Sequence, residues 1–151
     1  LMCGIIEGLF RNNMATVPVI AVETVGADSL STSLSAGQHL ELYDITSLAT
    51  SLGAKKVAKA TYDWCYKHKV VSHVVSDMEA VNSCLEFCND HRLLVEPACG
   101  ATLSTLYNPI EFLMDKKNIL VIVCGGSGVT IDKMNDWKKK LDNNRMYLDN
   151  K

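Results

Sequence analysis

Ile119-Leu120-Val121-Ile122-Val123-Cys124-Gly125-Gly126-Ser127-Gly128 decides the fold class. Six apolar residues run without a polar interruption and then break into glycine. A run this short and this rich in β-branched residues reads as a central strand of a parallel sheet over residues 119–124, buried on both faces. Ligands in open α/β sheets sit beyond the carboxyl ends of the strands. Cys124 therefore stands where chemistry is expected, and Gly125 and Gly126 let the backbone come close to a bound group. A strand followed by a tight turn accounts for the same residues without any ligand, so the stretch speaks for a fold class more strongly than for a function.

The elements upstream share this alternation. Pro18-Val19-Ile20-Ala21-Val22-Glu23 reads as a buried strand ending in a carboxylate. Gly26 turns the chain, Asp28 or Ser29 caps a helix through Leu34, and Gly37 ends it. Residues 40–42 are expected as a short strand. Residues 45–52 form one helical face, with Gly53 as a stop, and a second helix follows over about residues 56–67. Residues 70–75 alternate as a strand does. Ser76-Asp77-Met78-Glu79 is a capping box that opens a helix with Met78, Val81, Cys84, Leu85 and Cys88 on its apolar stripe. Residues 93–95 are expected as a strand, followed by a helix from about Ala101. Asn108-Pro109 breaks that helix. Thr130 caps a last helix carrying Ile131, Met134 and Leu141, and the tail from Asn143 is expected to fray. The first segment, residues 3–10, is helical in pattern and starts abruptly on Leu1. Strands and helices alternate throughout, so the expected class is α/β: a mainly parallel sheet with helices on both faces.

The bulk numbers narrow the partners. The chain has 151 residues, 48% hydrophobic and 21% charged, with a formal net charge of -2. That is enough chain for one domain with a true core. A near-neutral balance speaks against nucleic acid or an anionic membrane surface as partner. No apolar run approaches the roughly 18 residues needed to span a bilayer, and the start lacks the pattern of a signal peptide. Six cysteines are scattered through apolar periodic segments with no Cys-x-x-Cys. They are expected to be reduced thiols of a cytoplasmic protein, and no spacing suits zinc. Cys84 and Cys88, one turn apart, are expected in core packing rather than as a redox pair.

Six blocks then go beyond generic patterning. Leu1-Met2-Cys3-Gly4-Ile5-Ile6-Glu7-Gly8-Leu9, Val19-Ile20-Ala21-Val22-Glu23-Thr24, Ile45-Thr46-Ser47-Leu48-Ala49, Val75-Ser76-Asp77-Met78-Glu79-Ala80-Val81, Val95-Glu96-Pro97-Ala98-Cys99-Gly100-Ala101 and Val121-Ile122-Val123-Cys124-Gly125-Gly126-Ser127 stand in order and in register. Together they resemble the L-serine/L-threonine dehydratase family, animal type, from Leu1 to about Leu141. The resemblance implies a pyridoxal-phosphate enzyme of the tryptophan-synthase β fold type. Such enzymes remove water from a small amino-acid substrate, serine or threonine, and release ammonia.

The resemblance also implies that this chain corresponds to the C-terminal half of the enzyme, within its large domain. The Schiff-base lysine and the substrate-carboxylate loop then belong to an upstream half. The glycine loop for the cofactor phosphate falls just before Leu1, so the first helix presents its N-terminus to the phosphate. Cys124 matches the position beside the pyridine nitrogen, with Gly125 next to it. Ser51 matches a position near the cofactor that is often Ala or Gly. Potassium is implied as a second cofactor, with the Glu23 side chain and the carbonyls of Ala27, Leu52 and Ala54 as its ligands. Oxygen ligands suit a hard cation. A helix-capping or salt-bridged carboxylate is the alternative role for Glu23, and local backbone bonding is the alternative for Ser51. Glu96 is expected to hold the helix entry. Gly128 departs from the family's common Asn. His39, His68, His73 and His91 match no catalytic position and are expected on the surface or hydrogen-bonded. A homodimer is implied for the complete enzyme. Without the upstream lysine this chain is not expected to catalyse the reaction unaided. The competing expectation is a truncated relative acting as an interaction module, and a weaker one is a related lyase or synthase of the same fold.

Overall fold

A run of alternating β-branched residues needs a neighbour before it becomes a strand, and only two segments among the described residues find one. β1 (Val19–Thr24) pairs with β2 (Val70–Val75). The Val19 N–H donates to the Lys69 carbonyl at 3.0 Å, joining the leading ends of both strands as in a parallel pair. The structure, a computed structural model, describes residues 1–149. They divide into two compact units: Leu1–Ser47 with Leu52–Val74, and Leu48–Ser51 with the chain from Val75 onward.

The first unit holds the β-pair and three helices, α1 (Met2–Arg11), α2 (Ser29–Ala36) and α3 (Lys59–Trp64). α1 buries Ile6 completely, and its Phe10 ring lies 5.4 Å from Trp64 of α3. Gly26 turns the chain after β1 at φ +83°. A Cβ there would also meet Thr46 Oγ1 at 2.1 Å, so glycine is required twice over. α2 ends on Gly37, left-handed at φ +63°, as expected from its sequence.

The second unit is built on α4 (Asp77–His91) and α5 (Pro97–Tyr107), followed by a 3-10 turn (Glu111–Leu113) and α6 (Ile131–Asp149). The capping box forms: Ser76 Oγ accepts from Glu79 N–H at 3.2 Å, and the Glu79 carboxylate accepts from Ser76 N–H at 2.7 Å. α5 starts with Pro97 at its first position, where a missing N–H costs nothing, and stops at Asn108 before Pro109. Thr130 Oγ1 accepts from Lys133 N–H at the start of α6. Val81, Cys84, Val95, Cys99, Leu103, Val129 and Met134 form the core. Burial pushes the Cys84 thiol up to about 12, which keeps it an inert apolar filler there.

Several expected elements are absent, each for a local reason. Residues 119–124, 93–95 and 40–42 are irregular, not strands. No strand pairs with them among the described residues, and a ladder cannot form on one side alone. Leu120 is 88% exposed, so the run is also not buried on both faces. Residues 45–52 are not helical. Thr46 N–H goes to the Gly26 carbonyl, Ser47 Oγ shares a hydrogen bond with Thr24 Oγ1 at 2.7 Å, and Leu48 N–H goes to Asp77 Oδ2 at 2.9 Å. These bonds satisfy the segment outside any helix. The second helix is shorter than expected and covers only α3. α6 continues through Asp149, so the tail does not fray at Asn143, and residues 150–151 lie outside the described residues. His68 is buried, and neither ring nitrogen meets a partner among the described residues, contrary to expectation.

α4 and α5 touch backbone to backbone at Gly100. A Cβ there would lie 2.0 Å from the Ala80 carbonyl oxygen and 2.5 Å from Cys84 Sγ. Gly100→Ala is expected to destabilise the protein by about 1–3 kcal/mol through overpacking. Urea unfolding checks this, with a lower midpoint and an unchanged slope as the expected pattern.

Candidate active site

In the second unit, Cys124 and Gly125, two of the three residues expected at the cofactor, lie at a glycine turn held by the mouth of α5. Gly125 adopts φ +141°, a conformation side chains rarely allow. Its carbonyl accepts from Glu96 N–H at 3.1 Å and from the Cys99 thiol at 3.3 Å. Its own N–H donates to Cys99 Sγ at 3.4 Å. Gly126 packs so closely that a Cβ would meet the Leu94 carbonyl oxygen at 2.2 Å, whereas nothing lies within 4 Å of a Cβ on Gly125. The turn is thus closed on the Gly126 side and open at Gly125. Cys124, one residue before it, is exposed. Ser51 is exposed as well, just after a turn in which Thr50 N–H donates to the Leu48 carbonyl. Glu96 is the N-cap of α5 but makes no side-chain cap bond; its Oε2 would lie 3.3 Å from a Cβ on Gly128.

The four residues expected at a cation belong to the first unit. Glu23, next to last in β1, is nine-tenths buried. Its Oε1 accepts from Leu30 N–H at 2.9 Å and its Oε2 from Ser31 N–H at 2.8 Å. A strand carboxylate thereby serves the N-terminus of α2, where free N–H groups and the helix dipole favour an anion. Asp28, the expected cap, makes no such bond; its Oδ1 accepts from Gly26 N–H instead. The Ala54 carbonyl accepts from Ser29 Oγ at 2.7 Å, and the Leu52 carbonyl from Ala54 N–H at 3.0 Å. Ala27 is buried. Each carbonyl retains a second lone pair. Glu23 and Ala54 are tied to the same first turn of α2, through Leu30 and Ser31 on one side and Ser29 on the other.

At α1, the first turn carries no acidic side chain and no side-chain cap, which leaves its N-terminus suited to an anion. Sequence patterning missed Cys99. It sits on the apolar stripe of α5 and nothing in its spacing distinguishes a clasp from core packing.

The sequence profile of the pyridoxal-phosphate dependent enzymes matches residues 1–125. The chain belongs to the pyridoxal-phosphate dependent enzymes. It is 40% identical over 149 residues to a mouse (Mus musculus) protein named serine dehydratase-like, covering 93% of this chain and 45% of the mouse protein. It is 40% identical over 146 residues to L-serine dehydratase of Dictyostelium discoideum, covering 93% and 42% of the two chains. The solved structure of a fungal L-serine ammonia-lyase from Rhizomucor miehei superposes with a TM-score of 0.86 at 34% identity, over 91% of this chain and 45% of that one. The chain therefore spans a little under half the length of the relatives it matches. The family's α/β fold, with parallel strands and helices, is borne out by this superposition.

Glu23 supplies a pH signature of its own. Its carboxyl lies above the ordinary value of 4.5, chiefly because burial penalises its charge; the two backbone N–H bonds oppose the rise and Asp28 adds to it. The folded protein holds this proton to higher pH than the unfolded chain does. Glu23's contribution is then greatest below about pH 4.5 and declines as pH rises through the folded value. The stability of wild type minus that of Glu23→Gln is expected to fall as pH rises from about 4.5 toward neutrality. Urea unfolding over a pH series in a buffer free of alkali-metal ions checks it; a difference that stays flat or grows with pH counts against it.

Proposed function

We propose that this protein dehydrates L-serine, and L-threonine more broadly, by pyridoxal-phosphate-dependent β-elimination, giving pyruvate or 2-oxobutanoate plus ammonia. In this proposal residues 1–151 are the C-terminal part of the cofactor-binding large domain, and an upstream half of the same enzyme carries the Schiff-base lysine. The observation that carries it is the 40% identity to an L-serine dehydratase across nearly the whole chain, joined to an exposed thiol on a strained glycine turn.

The residues fit the cofactor. Cys124 offers an accessible thiol, and Gly125 leaves open space beside it. When bound, pyridoxal phosphate supplies the electron sink that lets the substrate lose its Cα proton and its β-hydroxyl. Cys124 is assigned to the pyridine nitrogen. A thiol is a weak donor without fixed charge, so it leaves that nitrogen unprotonated, whereas a carboxylate would hold a proton there. Ser51 is assigned to the cofactor's surroundings. Glu23 with the carbonyls of Ala27, Leu52 and Ala54 is proposed to hold potassium. The support is the buried carboxylate and its oxygen-rich surroundings, where a cation would offset the desolvated charge. A cytoplasmic homodimer that feeds pyruvate toward gluconeogenesis completes the proposal; among the described residues no helix is long and apolar enough to cross a membrane.

Turnover tests it directly. The complete protein loaded with pyridoxal phosphate is expected to release pyruvate from L-serine, followed by a coupled dehydrogenase assay. Cys124→Ala is expected to lower kcat by about tenfold or more, the worth of a lost charge-tuning contact. Replacing potassium by a large organic cation is expected to slow wild type but not Glu23→Gln. Cofactor binding without pyruvate release would sink the serine assignment.

The upstream half has a natural seat in the unpaired run 119–123. Leu120 is 88% exposed, Ile119 44% and Ile122 38%. The 151-residue chain on its own is expected to associate through this apolar edge. Sedimentation velocity of Leu120→Lys should then show less association, and an equally monomeric wild type would count against it.

A further inference from the structure

The peptide groups on both sides of Gly125 are oriented by one sulfur atom. The Cys124–Gly125 peptide presents its N–H to Cys99 Sγ at 3.4 Å, and the Gly125–Gly126 peptide presents its carbonyl to the same atom at 3.3 Å. A thiol can do both, since sulfur accepts weakly and S–H donates weakly. Cys99 is 3% exposed and belongs to the core cluster with Val81 and Cys84, so it is itself fixed. Glu96 N–H adds a second bond to the Gly125 carbonyl, also from the mouth of α5. Without these bonds Gly125 would be free to leave φ +141°, because glycine populates many conformations at little cost. The direction of Cys124 is set by the peptide that follows it. We propose that Cys99 is a positioning residue: its thiol clasps Gly125 on both sides and so fixes the direction in which Cys124 presents its own thiol to the cofactor. This rests on the assignment of Cys124 to the pyridine nitrogen, but the clasp itself is a property of this chain.

The two are tested separately in the complete protein. Amide hydrogen exchange is measured without cofactor at Gly125 and, as internal controls, at Leu103 and Val81 in α5 and α4. Cys99→Ala should speed exchange at Gly125 by about tenfold relative to those controls, the net worth of a buried hydrogen bond. Cys99→Ser keeps a donor and an acceptor on a shorter arm and should restore much of the protection. With cofactor bound, the pH dependence of its absorption band should shift in Cys99→Ala and return toward wild type in Cys99→Ser. Should Cys99→Ala fail to fold, Cys99→Ser decides: a residual rise in Gly125 exchange while Leu103 and Val81 keep theirs supports the clasp, and a Gly125 rate that changes only in step with those controls overturns it. Exchange at Gly125 that is unchanged, or that rises only in step with Leu103 and Val81, overturns it too. Normal serine turnover and an unshifted absorption band despite faster Gly125 exchange in Cys99→Ala overturn the positioning role alone. Faster Gly125 exchange in a protein that binds cofactor but does not dehydrate serine supports the clasp and removes the substrate assignment.

Discussion

The second unit depends on how closely α5 can approach α4. With no side chain at Gly100, the α5 backbone comes to rest against the Ala80 carbonyl. Cys99, the residue before Gly100, is carried into the core, and Val95 and Leu103 are buried on the same helix and its approach. The mouth of α5 then holds the Gly125 turn by Glu96 N–H and Cys99 Sγ. A backbone-to-backbone contact is a stiff one, because neither partner has a rotamer to change. A glycine turn has many alternatives to the dihedrals seen here, so it is held only where its surroundings fix it, and here the surroundings are a helix packed at its closest distance.

In the first unit a carboxylate does the comparable work. Glu23 spans from the end of β1 to the first turn of α2, and it does so buried. The strand and the helix are thereby tied by charge-assisted bonds rather than by a local cap. The energetic tension is visible in its raised carboxyl: burial, with Asp28 adding to it, outweighs the two N–H groups.

Local signals survived translation into structure where they were complete within a few residues. The Ser76–Glu79 box, Gly37 in the left-handed region, Gly26 at its turn, Pro97 at a helix start and the stop before Pro109 all form as their chemistry dictates. β2 keeps its expected bounds for the same reason: alternation plus a partner in β1. Signals that need a distant partner did not convert. Residues 119–124 have strand composition but no neighbouring strand, and Thr46, Ser47 and Leu48 give their polar groups to Gly26, Thr24 and Asp77 instead of to a helix. Periodicity could not foresee that exchange. The candidate site proposed here was legible in the same uneven way. Cys124 and Gly125 stand out by position after an apolar run, and Glu23 by being a lone carboxylate at a strand end. Its capping of α2 was one of three roles open to it, beside cation binding and a salt bridge, while the Cys99 clasp carried no signal at all.

The match to the family profile stops at residue 125, but the core does not. Val129 and Met134 fill the same cluster as Val81, Cys84 and Val95, and Met134 is 1% exposed. A chain cut where the profile match ends would lose Val129 and Met134 from this cluster and leave a hole beneath α4, so the unit of folding runs past the profile.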